Sequence, residues 1–392
     1  MRVPSTEATH SRSFAPSGGR VAGSGRPTAA FIDLAALSHN FQEVLRRVEG
    51  RKVLAVVKAQ AYGHGALEVS RRLLTLGADM LGVALVEEGG ELRAAGIGAP
   101  VLVMGAVFPD QAEMITELSL TPIVYSVKLA EALSQAARKR GKTVNVHIKI
   151  DTGMGRIGLA PEDAADTIAR IFKLPGLYGE GLMTHFADAD LADKQFASKQ
   201  MERFEALMKA LEARGISIPL RHAANSAAVL DYSRALFTMV RPGLMLYGYS
   251  PLEARPGDVD VRPVLSLVTR IAFVKTVPAG SPISYGRTFV TKRESRIATI
   301  PIGYADGVSR ALSNRGEALV RGTRVPVAGR VCMDMTMLDV TDVPGVSEGD
   351  DVALIGRQGN EEITADDIAA KTGTIAYEVL CGISSRVPRV YV

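Results

Sequence analysis

A single lysine, Lys58, ends the apolar run of residues 53–57, and Tyr62 follows it four residues later, ahead of His64 between two glycines. An amine desolvated at the end of a buried strand loses pKa and becomes a nucleophile toward carbonyl compounds. For an isolated lysine the plainer reading would stand, a head group reaching out to solvent. Lys58 is not isolated. Asp151-Thr152-Gly153-Met154-Gly155-Arg156 follows a second apolar run, His185 a third, Asn225-Ser226 a fourth and Arg241-Pro242-Gly243-Leu244 a fifth. Such residues make one site only if their strands end side by side.

The elements that would bring them there recur along the chain. Apolar segments of the kind buried on both faces of a sheet stand at 53–58, 80–85, 100–105, 121–126, 144–150, 177–184, 220–224 and 238–241. Between them, Asp33–Glu49, Leu67–Leu76, Val127–Ala137 and Phe196–Leu211 carry apolar stripes at helical spacing. Eight strands alternating with helices over about 200 residues are the signature of an α/β fold of the (β/α)8 TIM-barrel type, with the site at the strands' carboxyl ends. A doubly wound sheet is the alternative. The barrel reading gathers all of the residues above at one mouth.

From about Ser250 the pattern changes to short strands at 262–277, 295–302, 317–331, 335–340 and 350–355, separated by Gly, Pro and Asp turns. Helical segments remain at Thr364–Thr372, with Thr364 as its cap, and at 375–380. The expected organisation is a barrel over 29–250 and a mostly β domain over 251–392. Residues 1–28 hold few large apolar side chains and read as a disordered extension. They lack the apolar core of a secretory signal, while their arginines and serines leave a transit peptide open on composition. That tail, with four arginines and one glutamate, supplies +3 of the net charge of +4, so the folded remainder gives no support for nucleic-acid binding. No apolar run approaches the length of a membrane span. Cys332 and Cys381 make neither a disulfide framework nor a zinc pattern; buried thiols in a reducing cytoplasm are the expectation.

Two segments invite other chemistry. Gly153-Met154-Gly155-Arg156-Ile157-Gly158 matches the dinucleotide-binding pattern, but Leu174-Pro175-Gly176 stands where an acidic strand end is needed, so the glycines read as a tight turn that aims Arg156. His185 with Asp188 and Asp190 lacks zinc spacing and a second histidine nearby, so no metal is expected.

In these motifs the chain resembles the alanine racemases of the two-domain type that depend on pyridoxal 5'-phosphate (PLP). The resemblance runs from about Phe31 to the C-terminus. It is carried by Val56-Val57-Lys58-Ala59-x-Ala61-Tyr62-Gly63-His64-Gly65, Lys149-Ile150-Asp151-Thr152-Gly153-Met154-Gly155-Arg156, Asn225-Ser226 and Arg241-Pro242-Gly243. In the second half Ser284-Tyr285-Gly286, Gly303-Tyr304-Ala305-Asp306-Gly307, Cys332-Met333-Asp334-Met335 and Ser385-Arg386-Val387-Pro388-Arg389 continue it. Gln60 departs from it, since the family usually has Asn there.

The resemblance implies that Lys58 holds PLP as a Schiff base. It implies phosphate contacts from Tyr62, Asn225, Ser226, Gly243, Leu244 and Tyr377, packing of His185 on the pyridine ring, and a bond from Arg156 to the ring's phenolic oxygen. Arg241 would face the ring nitrogen; a guanidinium only donates, so that nitrogen stays unprotonated and the ring is a weaker electron sink. Lys58 and Tyr285 would be the two bases of racemisation, Tyr285 coming from the partner in a head-to-tail homodimer. A free tyrosine titrates near 10, so such a role calls on nearby cations. Arg156 and Tyr304 would meet the substrate, Met333 and Asp334 would line its pocket from the partner subunit, Tyr304 and Tyr377 would narrow its entrance, and Lys149 would be open to carbamylation. The implied role is D-alanine supply for bacterial peptidoglycan. Rival readings are a racemase of broader specificity, a barrel-type PLP decarboxylase, which Arg241 and Tyr285 argue against, and a non-catalytic PLP carrier, which would lack the β domain.

Overall fold

The computed structural model describes residues 25–252 and 259–392. It forms two compact units: Asp33–Val264, and a second in which Leu265–Val392 is joined by the residues before Asp33. The first strand, β1 (Ala29–Ile32), therefore belongs to the later half of the chain.

Eight strands build the first unit: β2 (Lys52–Val56), β3 (Met80–Val83), β4 (Val101–Val103), β5 (Thr121–Val124), β6 (Val144–Lys149), β7 (Leu177–Met183), β8 (Leu220–His222) and β9 (Met239–Val240). Each falls within a segment expected from sequence, apart from a residue or so at the ends. They pair in parallel in the order β8-β7-β6-β5-β4-β3-β2-β9. The seam between β8 and β9 is drawn together by Thr238 N–H to Arg221 O (3.1 Å) and Arg241 N–H to Ala224 O (2.9 Å). The first of these strands, β2, pairs with the last, β9, and β9 meets β8 at the seam, so the sheet returns on itself as a barrel does and an open doubly wound sheet does not. Burial on both faces explains the runs of Val, Leu and Ile, with every residue of β3, β4 and β5 buried.

The helices between are α1 (Leu34–Val48), α2 (Ala66–Thr75), α3 (Val86–Ala94), α4 (Ala112–Glu117), α5 (Val127–Lys139), α6 (Pro161–Ile171), α7 (Gln195–Glu212) and α8 (Ser226–Asp231). Their starts are chemical. Asp33 accepts from the N–H groups of Ala35 and Ala36 at 2.8 Å, Ser126 accepts from Leu129, and Pro161 occupies the first turn of α6, where its missing N–H leaves nothing unpaired. Among the described residues no helix is long and apolar enough to cross a membrane.

In the second unit β10 (Leu265–Arg270) lies between β1 and β18 (Asp351–Gln358). The same sheet holds β15 (Glu317–Val320), β16 (Thr323–Pro326), β19 (Glu361–Ile363) and β20 (Arg389–Tyr391). A smaller sheet joins β11 (Phe273–Val277), β14 (Ser295–Ile300) and β17 (Thr336–Asp339), and a hairpin pairs β12 (Pro282–Ile283) with β13 (Phe289–Val290). Two helices follow, α9 (Ala365–Thr372), capped by Thr364, and α10 (Ala376–Cys381).

Three expectations need correcting. The barrel does not begin at residue 29, because β1 pairs antiparallel with β10 (Ala30 opposite Leu267) and parallel with β20 (Ala30 opposite Arg389). Residues 26–28 do not belong to the disordered extension expected over 1–28. Thr28 is fully buried with its hydroxyl 2.8 Å from that of Thr269, and Arg26 is 2.9 Å from the buried carboxylate of Asp306; residues 1–24 lie outside the described ones. Cys381 is exposed at the end of α10 and Cys332 is half-buried, so the cysteines are not both core thiols.

Candidate active site

Lys58 stands two residues beyond β2, where the backbone is pinned from three sides. Val56 N–H donates to Pro242 O (3.1 Å), Val57 N–H to Gly82 O (2.8 Å), and the Tyr247 hydroxyl to Val56 O (2.8 Å). The next four residues, Ala59, Gln60, Ala61 and Tyr62, have φ between 51° and 53°, a left-handed turn made without glycine. Each costs roughly 1–2 kcal/mol in an L-residue, so the surroundings must hold it. The Glu88 carboxylate accepts from Ala59 N–H at 2.6 Å, the Gln60 amide donates to Glu91 at 3.0 Å, and Gly65 N–H donates to Gln60 O at 2.7 Å. Lys58 is thus set in a strained, braced turn rather than at a loose strand end. Because Ala59 is exposed, Ala59→Gly is expected to keep or raise the melting temperature and Ala59→Val to lower it, by strain of about 1–2 kcal/mol. Thermal unfolding of the two variants checks this.

Tyr62 is buried with its ring 4.9 Å from that of Tyr247. A Cβ on Gly243 would lie 2.7 Å from the Tyr62 hydroxyl, so only glycine leaves this corner open. Gly243 N–H and Met245 N–H both point at the buried Ser226 hydroxyl, at 2.8 and 3.4 Å, with Leu244 between them. Asn225 uses its side chain to cap α8 through Ala228 N–H (3.0 Å). Hydroxyls and N–H groups so gathered are what a phosphate monoester needs.

Cations gather around the ends of β6, β7 and β9. Lys149, almost fully buried, has its pKa lowered to about 7 by burial and by Arg241 and Arg156, against a smaller opposing pull from Asp151. Arg241 donates to Thr184 O (2.9 Å), Ala223 O (3.0 Å), His185 Nδ1 (3.2 Å) and His222 Nδ1 (3.0 Å). Burial pulls it down to about 9, which leaves it a cation at neutral pH. Burial, reinforced by Arg241, Lys149, Arg156 and Lys58, holds His185 well below the ordinary histidine range, so it is neutral. Arg156 is exposed at the tip of its turn. Burial would raise Asp151, but N–H bonds from Gly155, Gly153 and Arg156 at 3.0–3.1 Å, with the charge of Lys149, hold it below the usual carboxylate value. The three glycines all have positive φ and Gly158 lies against the Asp151 backbone, which is the tight turn expected from sequence.

The second unit carries the remaining expected residues. Tyr285 is 70% exposed in the turn between β12 and β13, after Ser284 at φ 64°. Tyr304 and Met333 are exposed on neighbouring loops joined by Tyr304 N–H to Cys332 O and Ala305 N–H to Met333 O, both 3.0 Å. Asp334 pairs with Arg386 at 2.8 Å, and Tyr377 lies half-buried on α10.

Sequence reasoning did not single out Glu88, Asp151 as a turn acceptor, or Gln200. The last is buried on α7 and joins the Thr152 hydroxyl (3.3 Å) to His185 O (3.0 Å) and Ala187 N–H (3.0 Å). A buried glutamine within an apolar stripe was its available signal. With a hydroxyl-lined corner after β8 and β9, three basic side chains (Lys149, Arg156 and Arg241) and Lys58 after β2, the barrel residues fit a phosphorylated aromatic aldehyde.

Two family models cover the chain: "Alanine racemase, N-terminal domain" over residues 32–251 and "Alanine racemase, C-terminal domain" over 264–391. The alanine racemase of Halothermothrix orenii is 48% identical, across 93% of this chain and 97% of that one. Alanine racemase 2 of Caldanaerobacter subterraneus subsp. tengcongensis is 50% identical, across 94% and 95%. The solved structure of the alanine racemase of Clostridium difficile 630 superposes with a TM-score of 0.89 at 39% identity, covering 93% of this chain and 96% of that one.

Proposed function

We propose, for a chain that belongs to the alanine racemase family and shares its dependence on PLP, that it interconverts L- and D-alanine with two bases, Lys58 and Tyr285. The observation that carries this reading is Arg241. It is a buried, donor-only cation placed among the other site residues at the barrel mouth, where a carboxylate would suit decarboxylation or transamination instead.

When bound, PLP supplies an electron sink that acidifies the substrate's α-carbon. Lys58 anchors it, with Ser226, Tyr62, Tyr377 and the N–H groups of Gly243 to Met245 toward the phosphate, and His185 against the ring. Arg241, which can only donate, would face the ring nitrogen and keep it unprotonated, which would limit the sink and disfavour reprotonation away from the α-carbon. Lys58, released by substrate, takes or returns a proton at Nζ on one face of that carbon. The partner subunit's Tyr285 serves the opposite face, so the unit of function is a homodimer. Arg156, with the partner subunit's Met333 and the partner subunit's Asp334 lining the substrate pocket, confines it to a small side chain. The same reading places the enzyme in the cytoplasm, supplying D-alanine for peptidoglycan.

Polarimetry on the purified protein with PLP is expected to take L-alanine or D-alanine to the same 1:1 end point, with solvent deuterium entering the α-carbon. L-serine, L-lysine and L-arginine should turn over more slowly by about ten- to two-hundredfold per misfitted group. Release of carbon dioxide without racemisation would overturn the reading in favour of a decarboxylase.

Lys149 adds a pH dependence. With a folded-state pKa of about 7, a sizeable fraction is a neutral amine at neutral pH and can add carbon dioxide, forming an N–C bond and releasing one proton. The resulting carbamate is an anion beside Arg156. Because the folded value lies below 10.5, protonating Lys149 opposes folding: that penalty grows as pH falls from about 10.5 to about 7 and is constant below. Under 13C-labelled carbon dioxide, a carbamate NMR signal absent from Lys149→Ala should strengthen from pH 6 to pH 8. A bare amine in high-resolution density at pH 8 would count against it.

A further inference from the structure

Arg241 is the near end of a buried row that crosses the barrel interior. Asn145, His147 and Lys149 alternate along β6 and so share one face of that strand. Fully buried His147 has Nδ1 2.8 Å from Nε2 of His222, which is also fully buried, and Nε2 3.1 Å from the Glu180 carboxylate on β7. His222 Nδ1 is 3.0 Å from Arg241 Nη1, and Asn145 donates to the other Glu180 oxygen at 2.9 Å. Gly181 makes the room, since a Cβ there would lie 2.5 Å from the His147 ring.

The two ends fix every proton between them. A guanidinium can only donate, so His222 Nδ1 must accept and its hydrogen sits on Nε2. His147 Nδ1 must then accept, and its own hydrogen, on Nε2, goes to the carboxylate, which can only accept. Both histidines are neutral, because burial pushes each below the ordinary range; the pull of Glu180 opposes this at His147, and Arg241 adds to it at His222. Either histidine in its other tautomer would set donor against donor at Arg241 or leave the carboxylate facing a lone pair.

We propose that Glu180 and His147 are positioning residues: through His222 they hold the Arg241 guanidinium in one plane and so keep the cofactor's ring nitrogen unprotonated. This rests on the role given to Arg241 above. Glu180 is the terminal acceptor of that row, and its effect reaches the cation through two fixed dipoles.

The test is made on holoenzyme loaded with PLP labelled with 15N in the ring, comparing parent, His147→Leu, Glu180→Leu, Glu180→Gln and Arg241→Gln. The nitrogen chemical shift reports ring protonation without turnover, and pyruvate formed per racemisation event reports the consequence. His147→Leu and Glu180→Leu should move the shift toward the protonated form and raise the pyruvate ratio about ten- to hundredfold, the size of one hydrogen bond to a charged group. Glu180→Gln keeps an acceptor for His147 and should return both readouts most of the way to the parent. Should His147→Leu fail to fold, the pair at Glu180, whose side chain is 19% exposed, decides. The inference is overturned if Glu180→Leu matches the parent in both readouts while Arg241→Gln moves them. If Arg241→Gln moves neither, the role of Arg241 itself is what fails.

Discussion

A 1:1 mixture of Lys58→Ala and Tyr285→Phe chains, each nearly inactive alone, should regain about a quarter of the parental activity once subunits exchange. Each site of the proposed homodimer draws one base from each chain. A mixed dimer then has one site with both substitutions and one with neither, and random pairing puts half of all dimers in that class. Tyr285→Phe alone should lower kcat by about 10²- to 10⁴-fold, the usual contribution of one acid–base group. Tyr285 suits delivery to a neighbour, since its ring is 70% exposed on a turn held by Ser284 Oγ to Arg330 O at 2.6 Å. Size-exclusion chromatography and the racemisation assay on the mixture check this. A dimeric mixture as inactive as its components would place both bases in one chain.

Arg241→Glu should both weaken the protein and spoil its selectivity. The guanidinium satisfies two carbonyl oxygens, Thr184 O and Ala223 O, at 2.9 and 3.0 Å inside the barrel. A carboxylate there faces them as a second acceptor, and removing one partner from a buried charged network costs about 3–5 kcal/mol. Chemically, an acid beside the ring nitrogen favours its protonated form and so a stronger electron sink. Racemisation should slow while pyruvate formed per turnover rises, measured with lactate dehydrogenase coupled to the alanine reaction. A variant that racemises as cleanly as the parent would remove the physical basis of the function proposed.

What could be read from the sequence was whatever burial on two faces had written there. Barrel strands such as Val53-Leu54-Ala55-Val56 of β2, and the whole of β3 and β4, hold no polar side chain because neither face meets water. Helix α3 was missed because Gly89 and Gly90 interrupt it and it presents no apolar stripe. The hairpin that presents Tyr285 was missed because strands of two residues carry no period. At the site, the residues at strand ends were legible as interruptions of apolar runs. The left-handed turn after Lys58 was not, since Ala59, Gln60 and Ala61 are helix formers and part of what holds them comes from Glu88 and Glu91, about 30 positions on. The interior row left a trace: in Val144-Asn145-Val146-His147-Ile148-Lys149 polar side chains alternate with apolar ones, yet nearly all are buried. Alternation that in an open sheet means a wet face here means a polar barrel centre.

The place of β1 has a consequence for the order of events during synthesis. At about 5–20 residues per second, β1 emerges roughly ten to fifty seconds before β10 and longer still before β20, the two strands it pairs with. Once β9 has emerged Asp33–Val264 can close its ring, while β1, made long before, still waits as an unpaired ribbon with both edges open. The second unit is therefore an assembly of the first and last parts of the chain, and its contact order is set by the barrel inserted between them. A chain released after β9 but before β10 should yield a closed barrel trailing an orphaned strand, and that strand is the segment a folding chaperone has most reason to cover.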